Sequence, residues 1–423
     1  MYASTLCVGA DVHLKQITLR AVDKLTSDQV VAPFNVANNL PGAQAATSRL
    51  ADVAARLGYT RIEIGYEATG MLWIPFHRFL TTCERLEPFD LQQVCFNPKL
   101  VADFKDALVL RGPKDDVRDA FDVAARVQVG HWPLSYVPHD FWQGLRRLTR
   151  YRFQLSRYLS QEKVRFQAYA FLKCSDWKRV EAFSDVFGAT SAALLTEFTA
   201  AELRLMSHDQ LADLIAHRGR GRFYDPHATA RTVQHALSTS YPVDNQTDLM
   251  VTATLATAWE HIRAIKRLMK RLDQHIARCI QPVPNPLITI PGLGPVITAG
   301  LLAEIVDVSR FPEHKHLAQY FGISWTRRSS GGFVSQNTCM TKVGNPYGRY
   351  YFVQGADKMR QHNLEYKAFY WRKFNEVSTH QHKRALVLTA RKLVRLVHAL
   401  LTKNVPYVRP QMTARSEEAD LLQ

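Results

Sequence analysis

Acidic residues stand at three separate places in the first third of the chain, where a folded domain could bring them together. Asp11 lies in an alternating apolar stretch, Glu67 ends the apolar run RIEIGYE, and KDDVRDAFD (114–122) is rich in aspartate. Asp116 and Asp119 are three residues apart, so a helix would place both carboxylates on one face. Carboxylates grouped in this way hold the paired Mg²⁺ ions of phosphodiester chemistry, about 3.5–4 Å apart. The acids therefore predict a metal-assisted site that acts on nucleic acid.

Each acid taken alone has a simpler interpretation. An Asp in a strand often serves a turn or a cap, and DDxxD at the start of a helix complements the helix dipole. Asp115 would share a helix face with Asp119 or Asp122, so the identity of the paired acids stays open. The order favours the metal site, because a strand Asp, a strand Glu and then paired helix acids follow one another in RNase H-like nucleases.

A second candidate for chemistry is WTRRSSGGFVSQ (325–336), called here the serine segment. Arg327 and Arg328 could fork onto phosphate oxygens, and Gly331 and Gly332 permit close approach of the backbone. No neighbouring His or Asp suggests an acyl-transfer triad. The electrophile for a serine here would be phosphorus, with the arginines stabilising the developing charge. By spacing alone, the segment remains a flexible turn.

Two further stretches are suited to phosphate binding. ITIPGLGPVITAGLLAEI (288–305) resembles a helix-hairpin-helix module, in which Gly292 and Gly294 would let backbone N–H groups approach a DNA phosphate. A plain Pro/Gly turn between core helices is the alternative. Polar side chains also gather near the glycine-containing helix start that follows the serine segment, namely Lys342, Asn345 and Arg349.

Composition points to a polyanionic partner. Fifty-four Lys and Arg residues against 38 Asp and Glu residues give a net charge of +16 in 423 residues. Binding of Lys or Arg to a nucleic-acid phosphate releases the counterions of that phosphate, which favours association. An anionic membrane surface is the competing explanation. No apolar run approaches the roughly 18 residues of a membrane span, and no signal peptide is evident, so we expect a cytoplasmic protein. Six scattered cysteines and the HQH triplet at 380–382 predict no structural zinc site.

Hydrophobic periodicity predicts the elements that must position these residues. Alternation over 5–22 indicates two strands, 61–70 a buried strand ending in a glycine turn, and 42–57 a helix. Strands that alternate with helices indicate an α/β fold in the N-terminal region. We expect an α/β domain over 1–135, a coiled-coil region over 136–281 with a helical insertion at 175–245, a mainly α C-terminal domain over 282–410, and a polar tail over 411–423.

Two long helices define the predicted coiled-coil region, one over 141–172 and one with apolar residues every three or four positions over 251–276. They could pack within one chain or between chains, so we expect a homo-oligomer, a dimer or a tetramer. The insertion at 175–245 has no functional interpretation. The helices of 361–403 are strongly basic, in keeping with nucleic-acid binding.

Taken together, these residues resemble the insertion-sequence one-ten family of transposases, which also includes Piv-type DNA invertases. GADVHLK and YEATG look like the family's first acidic motif and its Glu motif, and KDDVRDA is similar to its Lys-Thr-Asp-x-x-Asp-Ala. IPGLGPVITAGLLAEI, SGG and TKVGNPYGR resemble its C-terminal transposase domain. The likeness covers most of the chain, and the order of the motifs is more specific than any one of them.

The resemblance implies a RuvC-like, RNase H-type domain with a DEDD tetrad that binds Mg²⁺, and a C-terminal serine that forms a covalent phosphoserine link with DNA. The serine maps to Ser330, with Ser329 as the alternative. The tetrad, so named from here on, maps to Asp11, Glu67, Asp116 and Asp119. The family's Thr before the third acid is Asp115 here, so Asp115 could replace Asp116. The implied partners are donor and target DNA, a noncoding bridge RNA, and further copies of the chain.

The resemblance therefore implies a Mg²⁺-dependent, RNA-guided DNA recombinase of an insertion sequence. Two other functions remain open. An RNase H-like nuclease or junction resolvase would use the acids and water without a covalent step. A non-enzymatic scaffold would bind nucleic acid through the basic helices alone.

Overall fold

The computed structural model describes residues 4–107, 116–130, 132, 136–325, 329–330, 333–334 and 340–409, with only the backbone described at 329–330 and 333–334. The chain forms two compact units, which meet in sequence between Val137 and Pro138. Among the described residues, no helix combines the length and the apolar character needed to cross a bilayer.

A five-stranded mixed sheet forms the centre of the first unit. Its strands are β1 (Thr5–Val12), β2 (Gln16–Asp23), β3 (Gln29–Ala37), β4 (Arg61–Glu67) and β5 (Asp90–Phe96). They lie in the order β3-β2-β1-β4-β5. β1 is antiparallel to β2 and parallel to β4, β2 is antiparallel to β3, and β4 is parallel to β5. This mixed topology is consistent with the RNase H-like domain that the sequence predicts.

Helices cover the sheet of the first unit. They are α1 (Leu40–Leu57), α2 (Trp73–Thr81), α3 (Pro98–Ala107) and α4 (Asp116–Val129). Asn39 caps α1 by accepting a hydrogen bond from the Gly42 amide, and Gly58 ends the helix in the left-handed conformation. The alanine- and leucine-rich face of α1 packs on the apolar faces of β1, β2 and β4, forming one core cluster. The apolar residues of the alternating pattern thus lie on the face of the sheet that α1 covers.

Strand β3 is not predicted from the sequence pattern. This strand is at the edge of the sheet, contains Pro33, and buries only Val31. A proline is tolerated on an edge strand because one side of the strand makes no ladder hydrogen bonds. An edge strand with one buried side chain carries little hydrophobic alternation, which explains why the pattern did not reveal it.

The second unit is mainly helical and is organised around two long helices, α5 (Asp140–Lys173) and α10 (Asn245–Ile280). Four shorter helices connect them: α6 (Ala189–Glu197), α7 (Ala200–Leu205), α8 (His208–Gly219) and α9 (Pro226–Thr239). The rest of the unit comprises α11 (Pro295–Ile305), α12 (His314–Tyr320), the short strands β6 (Ser329–Ser330) and β7 (Phe333–Val334), α13 (Pro346–His362), α14 (Leu364–Asn375) and α15 (Gln381–Lys403).

The apolar seam of α10 is buried inside its own chain. Val251, Leu255 and Ile262 lie in a core cluster with α5 and the four short helices, and Ile276 lies in the core of the C-terminal helices. The seam therefore supports packing within the chain, one of the two alternatives that its periodicity left open. It no longer argues for self-association, and the homo-oligomer stays a prediction that rests on the family resemblance.

The predicted helix-hairpin-helix differs from the observed structure in its first element. Pro286–Thr289 is a single 3-10 turn, and only the second element, α11, is an α-helix. The reason is the proline spacing, since a helix between Pro286 and Pro291 has room for one turn before the second ring blocks it. Leu287, Ile290 and Leu293 instead anchor the turn in the core.

Candidate active site

Two acids of the tetrad lie on neighbouring strands. Asp11 is the penultimate residue of β1, and Glu67 is the last residue of β4. The strands are parallel and Ala10 pairs with Tyr66. Asp11 directly follows Ala10 and Glu67 directly follows Tyr66, so the two acids lie side by side in the register. The carboxyl ends of parallel strands meet at one edge of a sheet, which is where ligand sites form in α/β folds.

Helix α4 brings the other two acids to this edge, and two glycines allow its approach. A Cβ on Gly9 would lie 2.0 Å from the Ala120 carbonyl oxygen and 2.4 Å from the Ala124 amide nitrogen. Gly65, which pairs with Gly9 across the strands, would place a Cβ 2.3 Å from a methyl group of Val127. Only residues without a side chain fit here. The backbone of α4 thus rests directly on β1, with Asp116 and Asp119 in its first turn.

His13 links two acids of the tetrad. Its Nε2 lies 2.9 Å from Oδ2 of Asp11 and 3.3 Å from Oδ1 of Asp116. Gln16 donates from Nε2 to the other oxygen of Asp116 at 3.0 Å. Asp11, His13 and Asp116 each offer a ligand atom, and these atoms all lie within 4.8 Å of one another. The role of His13 is not predicted from the sequence, although its place two residues after the strand acid was an available signal.

Lys105 of α3 neutralises the other side of the site. Its Nζ lies 2.6 Å from Oδ1 of Asp119 and 3.5 Å from Oδ2 of Asp122. Burial alone would lower the pKa of Lys105, but the hydrogen bond and the charge of Asp119 outweigh it, and the pKa is raised. The charge of Lys105 also acts on Glu67, which accepts a hydrogen bond from the Thr69 hydroxyl at 3.3 Å. The sequence analysis did not identify Lys105.

Burial makes Asp11 and Glu67 costly to ionise. It raises the pKa of Asp11, and the charges of Asp119 and Asp116 raise it further, while His13 opposes the shift. The pKa of Glu67 is also raised by burial and by the charges of Asp119 and Asp11, with Lys105 opposing. The charges of Asp116 and Asp119 thus act on Asp11, and those of Asp11 and Asp119 act on Glu67. Carboxylates held together against their repulsion are a cation-binding arrangement.

The donor set fits a divalent metal ion. Oxygen ligands from carboxylates suit Mg²⁺, and the carboxylates of Asp11 and Asp116 lie together beside the His13 imidazole. Asp116 contacts both His13 and Gln16. Asp115 lies outside the described residues, so the choice between Asp115 and Asp116 stays a prediction.

The serine segment has an antiparallel backbone where the structure describes it. Ser329 pairs with Val334, and Ser330 pairs with Phe333. Below these pairs, Trp325 forms a bridge with Met340. Arg327, Arg328 and the side chains of both serines lie outside the described residues, so their roles stay predictions.

The base of the serine segment is held by two residues that the sequence analysis assigned to nucleic acid. Asn345 accepts from the Tyr347 and Gly348 amides, which caps α13, and donates from Nδ2 to Glu304 at 2.7 Å. Arg349 donates to the carbonyl oxygens of Phe321 and Lys342 at 3.1 and 2.9 Å. These contacts fix the loop that leads from the serine segment into α13.

Glu304 anchors this region from the core. The side chain is fully buried and accepts two hydrogen bonds from the forked guanidinium of Arg150, at 2.7 and 2.9 Å. Arg150 in turn lies over the ring of Tyr347, 4.4 Å from its centroid. The role of Glu304 is not predicted from the sequence, although a single carboxylate in the apolar run ITAGLLAEI was a signal for a buried ion pair.

The three remaining predicted phosphate contacts differ in setting. Gly292 has a φ of +90° and a Cβ there would lie 3.0 Å from the Lys358 carbonyl oxygen, so this glycine serves the packing of the turn on α13. Gly294 is exposed as the N-cap of α11, with open space around its Cα. Lys342 is exposed with a φ of +53°. The last two are accessible to a ligand; their nucleic-acid contacts stay predictions.

Comparison with protein families assigns the chain. A model described as Transposase IS116/IS110/IS902 family matches residues 285–371. A second model, of IS110 transposases with the DEDD motif, matches residues 8–172. The chain belongs to the IS116/IS110/IS902 family of transposases. The family predicted from the ordered motifs is thus confirmed, and the two matched ranges contain the tetrad and the serine segment.

A relative in Sinorhizobium fredii (strain NBRC 101917 / NGR234) carries the name transposase y4rJ. It is 37% identical over 83 residues, which are 19% of this chain and 20% of the relative. The match therefore spans about a fifth of either protein.

Proposed function

We propose that the protein is a DNA transposase that cuts and rejoins strands through a covalent phosphoserine intermediate. The observation that supports the proposal is the position of Asp11 and Glu67 at the ends of neighbouring parallel strands, with Asp116 and Asp119 in the first turn of the helix that packs on β1. The family match of the same chain also includes SSGG. Carboxylates that are hard to ionise alone are easily ionised around a divalent cation, because the cation stabilises the charged form. The tetrad would hold Mg²⁺ through its carboxylate oxygens, with His13 and Gln16 orienting Asp11 and Asp116.

Bound Mg²⁺ would polarise the scissile phosphate and stabilise charge on its oxygens. Ser330 is the proposed nucleophile. Its Oγ forms the bond to phosphorus and loses its proton, the phosphorus–oxygen bond to the departing strand breaks, and the released hydroxyl end takes up a proton. Arg327 and Arg328 would stabilise the charge on the phosphoryl oxygens. The reverse attack by a DNA hydroxyl releases the serine and joins the new strand.

The guide and the substrates follow from charge and from the family. We propose donor and target DNA as substrates, a noncoding bridge RNA as guide, and an assembly of two or four chains. The net charge of +16 and the basic side chains along α5 and α15 support polyanion binding. The hydrogen bond between Asn345 and Glu304 holds the loop that precedes α13. A rigid loop at this place supports a role for the serine segment in presenting the nucleophile.

The test uses the full chain with the RNA that co-purifies with it, Mg²⁺ and a DNA substrate nicked near the cut site to trap the intermediate. The proposal predicts a protein–DNA adduct on a denaturing gel. Ser330→Ala should remove the adduct, and Asp116→Asn should suppress it. Ser309→Ala is the matched control, because that exposed serine, which donates to Asp307, lies outside the serine segment.

Three outcomes separate the alternatives. An adduct that persists in Ser330→Ala and disappears in Ser329→Ala moves the nucleophile by one residue. Cleaved DNA with free ends and no adduct identifies a hydrolytic nuclease. DNA and RNA binding without strand cleavage leaves a nucleic-acid scaffold.

A further inference from the structure

The segment between the two long helices contains a second group of metal-ligating side chains. His208 is the first residue of α8, Asp209 follows it, and His227 is the second residue of α9. These three residues are called here the histidine cluster. They lie outside both family matches, which cover residues 8–172 and 285–371.

The cluster has the dimensions of a metal site before any ion is added. The three side chains offer ligand atoms that all lie within 4.8 Å of one another. The His208 and His227 rings are 5.3 Å apart between centroids, and Nδ1 of His227 lies 3.8 Å from Oδ1 of Asp209. Ligand atoms around tetrahedral zinc are about 3.3 Å apart, from Zn–N bonds of about 2.0 Å. Small rotations of these solvent-accessible side chains close that difference.

A neighbouring glutamine prepares His208 for coordination. Nδ1 of His208 lies 3.2 Å from the amide oxygen of Gln234 on α9. An amide oxygen only accepts hydrogen bonds, so Nδ1 carries the proton and Nε2 keeps its lone pair. Ligating histidines are oriented in this way, through a hydrogen bond from the ring nitrogen that does not bind the metal.

The backbone that carries the ligands is fixed on both helices. Ser207 and Gln210 form a capping box at the start of α8, and Asp225 caps α9 by accepting from the Ala228 amide at 2.8 Å. Behind the cluster, Leu211 of α8 and Ala230 of α9 belong to one buried core cluster. The ligands thus project from two capped helix ends whose opposite faces are packed together.

We propose that the histidine cluster binds a zinc ion, which joins the N-terminal end of α8 to that of α9. Two imidazoles and a carboxylate are ligands of zinc, with water as the fourth, whereas Mg²⁺ favours oxygen ligands alone. The site stabilises the helices that connect α5 and α10. Cysteine spacing could not predict it, because it contains no cysteine and its ligands come from two helices.

The test is zinc binding and thermal unfolding of the full chain after chelator treatment and dialysis. Wild type should bind one zinc ion more per chain than His208→Ala or His227→Ala, and zinc should raise its melting temperature, because a ligand that binds only the folded state stabilises it. His217→Ala is the matched control, since His217 lies exposed at the other end of α8. The tetrad and His13 are intact in all these proteins, so zinc bound there cancels in the comparison.

Gln234→Leu provides a second test that keeps all three ligands. Loss of the bond that orients His208 should weaken zinc binding about tenfold, as is usual for such supporting residues. Co²⁺ in place of zinc reports the same site by its visible absorption. Equal zinc stoichiometry and equal melting shifts in wild type, His208→Ala, His227→Ala and Gln234→Leu would overturn the proposal.

Discussion

The ammonium nitrogen of Lys105 lies 2.6 Å from a carboxylate oxygen of Asp119, inside the group of acids that we propose to bind metal. The same nitrogen is 3.5 Å from Asp122, whose side chain is almost fully buried. A lysine thus supplies positive charge where a divalent ion would supply more. This internal cation offsets part of the repulsion among the acids.

Lys105→Met should therefore strengthen metal binding and weaken the metal-free fold. At an effective dielectric constant of about 20, unit charges about 5 Å apart interact by about 3 kcal/mol. After discounting for the solvent exposure of Lys105, we expect Mn²⁺ affinity to rise about tenfold in a calorimetric titration. Lys99→Met is the control, since Lys99 is exposed on the same helix. Unchanged affinity in Lys105→Met would show that the lysine does not compete with the ion.

Asp11→Asn should raise the melting temperature of the protein in EDTA at pH 7. Burial raises the pKa of Asp11 in the folded state, so its contribution to stability is complete below the ordinary carboxyl pKa and is lost as the pH rises through the raised value. The variant has no such loss. Mg²⁺ should stabilise wild type but not Asp11→Asn. Asp28→Asn, on an exposed turn, should follow wild type in both conditions; lower stability of Asp11→Asn in EDTA would refute this reasoning.

Gly9→Ala should displace α4 and with it half of the tetrad. The new Cβ would meet the backbone of Ala120 at 2.0 Å, and overpacking of this kind costs about 1–3 kcal/mol. Urea unfolding should show the loss, and the affinity for Mn²⁺ should fall because Asp116 and Asp119 move away from Asp11. Gly144→Ala is the control: a Cβ there meets nothing within 4 Å, and alanine should stabilise α5 by about 0.5–1 kcal/mol. Wild-type metal affinity in Gly9→Ala would contradict the close approach of α4.

Glu304→Gln should destabilise the second unit strongly. Removal of the carboxylate charge leaves the Arg150 guanidinium without its counter-ion, and because that side chain is 37% exposed, the usual cost of about 3–5 kcal/mol for a buried pair falls to about 2 kcal/mol. The exposed pair of Glu313 and Lys315 provides the comparison, because Glu313→Gln should cost less than about 1 kcal/mol. Denaturant unfolding measures both, and similar small losses in the two variants would show that Glu304 does not hold the core.

Much of the first unit follows from sequence because its signal is local. Alternation reveals β1, β2 and β4, and the acids stand at strand ends and in a first helical turn. The partners of the acids cannot be predicted from the sequence. Lys105 and Asp119 are 14 residues apart in the sequence, and Gln16 and Asp116 are 100 residues apart. Those contacts depend on the packing of α3 and α4 on the sheet, which hydrophobic periodicity does not encode.

The second unit shows the limits of motif interpretation. Asn345 and Arg349 have the right chemistry for phosphate, yet their side chains hold backbone and Glu304 in place. The seam of α10 has coiled-coil spacing, yet its apolar residues are buried in the same chain. For the seam, the sequence left packing within the chain and between chains open, because an apolar group takes the partner that the tertiary fold brings to it. The nucleic-acid contacts of Asn345 and Arg349 stay predictions.

The most direct test of the central claim is to locate the DNA attachment on the chain. Full-length protein with co-purified RNA and Mg²⁺ is reacted with the nicked DNA substrate, digested with nuclease and protease, and analysed by tandem mass spectrometry. We predict a nucleotide remnant joined through phosphate to Ser330, and no such remnant when Asp116 is replaced by Asn. Cleaved DNA ends with an unmodified serine segment would contradict this prediction.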